Sequence, residues 1–156
     1  VKLHSIADEL AQHQFFEGLE RSVIDLVAGC GRHVVFPLGT QLFSEGEAAD
    51  RFFVVHHGRV ALGTKAPGRP APVIDTVEEG EVLGWSWLFA PYAWHFDARA
   101  VSDVRAVAFD ARCLRTKCDD DPRVGYQLMQ RFAGVLVQRL QATRLRLLDL
   151  YGDDAR

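Results

Sequence analysis

Apolar residues change their spacing twice along the chain, and each change marks a change of structure. In the first thirty residues they recur at helical intervals in two short pieces. Ile6, Leu10, Phe15, Phe16 and Leu19 mark the first, and Val23, Ile24, Leu26 and Val27 the second. Ser22 before the second piece and Gly29 and Gly31 behind it read as its cap and its stop. From Arg32 to Asp110 the texture becomes short β-branched and aromatic runs cut by Gly and Pro every 8–12 residues or roughly so. Strands are predicted at residues 33–36, 41–43, 51–56, 59–62, 72–77 and 98–109, with the proline-rich residues 65–72 as a hairpin loop. A series of this kind predicts a sandwich or barrel, so residues 1–31 read as packing helices and 32–110 as a β-barrel.

Beyond Asp119-Asp120-Asp121-Pro122 the period turns helical and holds to Tyr151-Gly152. Pro122 in the first turn, acids just before it and Gly152 at the end are helix-boundary signals. Residues 111–152 therefore read as a hinge followed by a long helix. Leu128, Met129, Phe132, Leu136, Leu140, Thr143, Leu147 and Leu150 form one broad stripe at spacings of three and four. Roughly 29 helical residues reach about 43 Å, further than a domain of this size can cover. A second copy of the same helix is the expected partner, in a two-fold homodimer through Leu128, Phe132, Leu136, Leu140, Thr143 and Leu147. The alternative is a helix folded back entirely on its own domain.

Composition narrows the classes. A length of 156 residues with 48% hydrophobic content fits one domain with one core. A net charge of −3 gives no general basic field for nucleic acid. Five arginines and no carboxylate lie between Pro122 and Leu148, but they spread around the helix and read as solvated. No apolar run approaches the ~20 residues of a membrane span, and no signal-peptide pattern opens the chain, so it reads as a cytoplasmic domain. Cys30, Cys113 and Cys118 are odd in number and scattered, which argues against a disulfide framework. Cys113 and Cys118 lack further ligands nearby, so neither zinc nor an iron–sulfur cluster is expected. His4, His13 and His33 are isolated and read as surface residues. His56 and His57 are adjacent, so on a strand they face opposite ways and cannot chelate one ion together. No nucleophile elbow, Walker loop or dinucleotide fingerprint is present; an enzyme is not expected, nor is a cofactor.

Two blocks carry a resemblance. Residues 36–60, FPLGTQLFSEGEAADRFFVVHHGRV, place Gly39, Phe43, Gly46, Asp50, Phe53 and Gly58 as in the first half of the cyclic-nucleotide-binding domain of the catabolite activator (Crp/Fnr-like) family. Gly46 and Gly58 fall at tight turns that call for positive φ. Residues 84–100, GWSWLFAPYAWHFDARA, resemble that family's phosphate-binding cassette, whose pattern is approximately GELALLxxxPRTATARA. The resemblance implies a mainly β, double-stranded β-helix (jelly-roll) fold with short N-terminal helices and a long C-terminal helix. It further implies that a short cassette helix offers N–H groups, from Ser86 and Trp87, to an anion.

The cassette is degenerate. Trp85 stands where the family has the glutamate that binds the ribose hydroxyl, and Trp94 where it has the arginine that neutralises the phosphate. His95 replaces the neighbouring Ser or Thr, and Asp97 adds a negative charge. Losing a buried arginine–phosphate pair costs about 2–5 kcal/mol. Ordinary cAMP or cGMP binding is therefore not expected, although a genuine cyclic-nucleotide regulator using non-standard contacts stays as one alternative. Gly84, Trp85, Ser86, Trp87, Leu88, Trp94, His95 and Arg99 are the pocket candidates. An aromatic wall suits a planar or apolar ligand with one polar handle, and His95 could meet an anion or titrate near neutrality. The same rings equally suit a plain core. Arg99 matches the family's second arginine and reaches the pocket only if the register slips. The resembled domain shares its architecture with cupins, but Phe43 and Glu45 fill the places of the first histidine pair, so a metalloenzyme is not expected. Ser86 with His95 as a hydrolytic pair has little else behind it.

The expected function is a regulatory sensor or adaptor domain. A small ligand would enter at the cassette and shift the hinge between Phe109 and Pro122. The rival is a structural protein-interaction module with a closed pocket. No recognition helix is read after the long helix, so this chain is not expected to bind DNA directly.

Overall fold

A computed structural model describes residues 5–64 and 73–154 of the chain. The loop expected at residues 65–72 lies outside the described residues, as does His4. Ser5 opens helix α1 (Ile6–Ala11) with a capping box: its hydroxyl accepts from the Asp8 N–H, and its own N–H donates to the Asp8 carboxylate. A 3-10 turn at Gln14–Phe16 then carries Phe15 and Phe16 into the core. Helix α2 (Arg21–Ala28) starts one residue before the expected cap, because the Glu20 carbonyl accepts from both Val23 and Ile24. Ser22 thus lies inside the helix.

Eight strands follow: β1 (Gly31–Phe36), β2 (Gln41–Phe43), β3 (Arg51–His57), β4 (Val60–Gly63), β5 (Val73–Val77), β6 (Val82–Leu83), β7 (Asp97–Ala100) and β8 (Val104–Asp110). They form two antiparallel four-stranded sheets, ordered β1-β8-β3-β6 and β2-β7-β4-β5. The jelly-roll expectation holds as two sheets rather than a closed barrel. The single strand predicted over 98–109 is two strands in different sheets, broken at residues 101–103. There Gly58 (φ +98°) turns from β3 to β4 against the Asp103 carbonyl, an approach that leaves no room for a Cβ. Gly46 also has positive φ, as its turn requires.

Strand β3 explains why strict alternation fails in the centre of the domain, since Phe52, Phe53, Val54 and Val55 are all buried. Phe53 faces the opposite sheet, where it meets Phe43 of β2, with Phe36 of its own sheet edge-on beside it. Phe52 faces the helices, stacked on Phe109 and Trp87 with Phe132 edge-on. A strand covered on both faces reads as a continuous apolar run.

The expected hinge is itself helical. Asp110 caps helix α3 (Ala111–Asp120), its carboxylate accepting from the Cys113 N–H at 2.8 Å. Asp121 leaves helical geometry and separates α3 from the 33-residue helix α4 (Pro122–Asp154). A disulfide joins Cys30, just past α2, to Cys113. The odd cysteine count concealed it: two pair across the fold and Cys118 stays free.

Helix α4 divides along its length. Val124, Leu128 and Phe132 are buried in the chain's own core, so Leu128 and Phe132 are core residues rather than dimer-facing ones. Leu136 is half-buried, whereas residues 140–150 are exposed throughout. Arg139 donates to the Asp75 carboxylate at 2.9 Å and to the Val82 carbonyl. Arg146 donates to the Ile74 carbonyl and to Asp75. These two arginines clamp the helix to β5: Arg139 is largely shielded rather than solvated as expected from the spread, while Arg146 stays exposed but paired.

Candidate functional site

The cassette is assembled from the end of β6, one 3-10 turn and the loop into β7. Gly84 follows β6 with φ +98°, and a Cβ there would lie 2.9 Å from the Trp94 ring. The cassette helix is a single turn, Ser86–Leu88. The returning loop is stitched to the turn between β2 and β3: Trp94 N–H donates to the Glu47 carbonyl, Gly46 N–H to the Trp94 carbonyl and Ala49 N–H to the Tyr92 carbonyl. Tyr92 is a non-glycine residue in left-handed backbone (φ 58°), held by these bonds.

Trp85 and Trp94, the two tryptophans expected at anchor positions, do different things. Trp94 is 3% exposed and stacks face-to-face on Phe43, with ring centres 3.7 Å apart and planes 8° from parallel. With Phe96 tilted against Phe43, it fills the space between Gly84 and β2. Trp85 is half-buried and stacks on the exposed His95 at 4.6 Å. Ser86 is fully buried, its Oγ sharing a 2.8 Å hydrogen bond with His95 Nδ1. That bond occupies the hydroxyl and one imidazole nitrogen.

The remaining candidates separate. Trp87, 1% exposed, points into the core between Phe52 and Phe132, and its indole N–H finds no partner among the described residues. Leu88 is half-buried at the end of the turn. Arg99 is exposed on β7 while Ala98 and Ala100 beside it are buried, so the register-slip reading fails: Arg99 faces away from the interior. Asp97 is engaged by backbone, accepting from the Glu45 N–H at 2.6 Å. Grooves of about 700, 540 and 440 Å3 open elsewhere, and no cassette residue lines any of them. Among the described residues no group of three or more His, Cys, Asp or Glu side chains could hold a metal ion.

Sequence reasoning missed Arg115. From α3 it donates to the Trp87 carbonyl at 2.9 Å and lays its guanidinium 4.5 Å above the Tyr92 ring, tying the cassette to the segment that leads into α4. Nothing in the spacing announces that link, because it joins residues 28 positions apart. His13, expected at the surface, lies in the interior instead. It is 8% exposed, accepts from the Phe15 N–H through Nδ1 and meets His56 edge-to-face. Burial first, and the neighbouring His56 second, push its pKa down to about 4. His33 is exposed, as expected, and pairs with Glu9.

Comparison with known proteins places these features. Residues 33–121 match the family model described as cyclic nucleotide-binding domain. The CRP-like cAMP-activated global transcriptional regulator of Mycobacterium tuberculosis is 32% identical over 145 residues, covering 93% of this chain and 63% of that protein. The chain thus spans under two thirds of that relative's length. A Geobacter metallireducens protein provisionally described as cyclic nucleotide-binding superposes with a TM-score of 0.79 at 27% identity, over 88% of this chain and 99% of that one. The Thermus thermophilus catabolite activator protein has the same fold, with a TM-score of 0.67 at 23% identity over 85% of this chain and 61% of that one.

Proposed function

Because the chain belongs to the cyclic nucleotide-binding domain family, we propose that it is a regulatory domain whose nucleotide seat is filled by its own aromatic rings. One observation carries this reading: Trp94, at the position of the family's phosphate-binding arginine, is buried against Phe43 and Gly84. A cyclic phosphate there would displace a stacked pair and find no guanidinium in its place. Asp97 would oppose it further. The mycobacterial relative is described as cAMP-activated. In our reading this chain keeps the regulatory role without that dependence, catalyses no reaction, and acts in the cytoplasm through protein contacts. Among the described residues no helix is long and apolar enough to cross a membrane.

The contact surface is the far half of α4, paired with a second copy. Leu140, Leu147 and Leu150 are exposed at 48–64%, with Leu145 and Leu148 beside them. Leu136 and Thr143 lie along the same face, and Met129 continues it. A bare stripe of this length is a docking surface. Arg115 supplies a route from the cassette to α3, and thence to α4.

A second reading rests on Trp85 and His95, whose stacked rings stay open to solvent beside Ser86. That ledge suits a planar or anionic small molecule and would make the domain a sensor. Thermal shift separates the two. Under the closed-seat reading cAMP, cGMP, aromatic acids and nucleotides leave the melting temperature unchanged up to millimolar concentrations. A dose-dependent rise with a non-cyclic ligand, lost in Trp85→Ala, establishes the sensor instead. A rise with cAMP refutes both.

A further inference from the structure

We propose that the Cys30–Cys113 bridge is a thiol-reactive site, opened by low-molecular-weight thiols, through which redox state sets how tightly α3 is held to the N-terminal helices. The inference is independent of how the nucleotide seat is read. Three observations support it. First, the bridge borders a groove of about 540 Å3, lined also by Gly29, Arg32, Arg51 and Asp110, which is within the range that receives small molecules. Second, Cys113 is only half-buried, while Cys30 is 8% exposed, so one sulfur residue can be approached from solvent. Third, Cys113 lies in the first turn of α3, so the sulfur that an incoming thiol attacks sits at the root of that helix.

The chemistry is ordinary exchange. The thiolate of a cysteine-type thiol attacks Sγ of Cys113, the S–S bond breaks, and the electron pair leaves on Cys30 Sγ, which takes a proton from water. Cys113 then carries a mixed disulfide. A second thiol displaces it, leaving two protein thiols and the oxidised small-molecule disulfide, which accounts for both electrons. Cys118 is a poor competitor, because burial, with Asp119 adding to it, pushes its thiol pKa up.

Position gives the bridge its consequence. It closes a separation of 83 residues and ties Cys30, two residues past α2, to the first turn of α3. Two hydrogen bonds run alongside it, Asp110 N–H to the Cys30 carbonyl at 2.9 Å and Lys117 Nζ to the Leu26 carbonyl at 2.6 Å, while Ala111 and Leu114 pack α3 on the core. Helix α3 leads through Asp121 into α4, so loosening it frees the base of the long helix.

The test uses the full chain purified without reductant. Alkylation and intact mass should count one reactive thiol, Cys118, before treatment and three after dithiothreitol under native conditions. Glutathione should leave an adduct on the Cys113 peptide. Hydrogen exchange should show α3 losing protection by about ten-fold or more on reduction, with β3 and β8 little changed. Cys118→Ser should behave as the wild type, and a Cys30→Ala/Cys113→Ala chain should match the reduced protein in either buffer. Three reactive thiols in the untreated protein, opening only in denaturant, α3 protection indifferent to reduction, or a loss spread evenly through β3 and β8 would each overturn the proposal.

Discussion

Gly84 is the residue on which the shape of the cassette turns. Its φ of +98° excludes most side chains, and the Trp94 ring occupies the space a Cβ would take. Gly84→Ala should therefore lower stability by about 1–3 kcal/mol in urea unfolding. Ser86→Ala nearby, which removes one hydrogen bond, should cost less, about 1 kcal/mol. His13 gives a prediction of another kind. The unfolded imidazole takes a proton near 6.5, whereas the folded one holds it off until about 4. Between those values the unfolded chain binds the extra proton, so stability is fully present above pH 6.5 and falls as pH is lowered toward 4. The full loss is about 3 kcal/mol. Melting temperatures from pH 7.5 to 4.5 should drop more steeply for the wild type than for His13→Phe.

At the scale of elements, the long helix is held by charge as well as by packing. Asp75 receives Arg139 and Arg146 together, with Asp75 and Arg139 both largely shielded from solvent. A double-mutant cycle with Asp75→Ala and Arg139→Ala should return a coupling of about 1–2 kcal/mol, while Arg146, more exposed, should couple by under about 1 kcal/mol. Hydrogen exchange on Arg139→Ala should show α4 loosening from residue 136 onward. The strands and the long helix were legible in the sequence because each repeats a local rule, from the aromatic and β-branched runs of β3 and β5 to the three-and-four spacing of α4. Helix α3 was not, since CLRTKCDD has too little apolar periodicity to outweigh its charges. The disulfide and the arginine clamp are facts of tertiary proximity, joining residues 83 and 64 positions apart, which no local pattern encodes. The cassette was half legible. The resemblance puts Trp85 and Trp94 at the two anchor positions, whereas the burial of Trp94 against Phe43 and the partial exposure of Trp85 required the course of the backbone.

For the whole molecule, the domain has a closed interior and an open arm. Phe15, Phe52, Trp87, Phe109 and Phe132 join the N-terminal helices, β3, the cassette and α4 in one aromatic cluster, so the cassette cannot move without disturbing the root of the long helix. The exposed leucines beyond Leu140 are where that disturbance would be read. Sedimentation at micromolar concentration should find a dimer, converted to monomer by Leu140→Glu/Leu147→Glu with no change in the melting of the β-sheet core. A wild-type monomer would contradict the pairing. The central claim, that Trp94 and its neighbours have replaced the nucleotide, is tested most directly by calorimetric titration of the wild-type chain with cAMP. The account predicts no saturable heat up to about 1 mM ligand; a one-to-one isotherm with a micromolar Kd would contradict it.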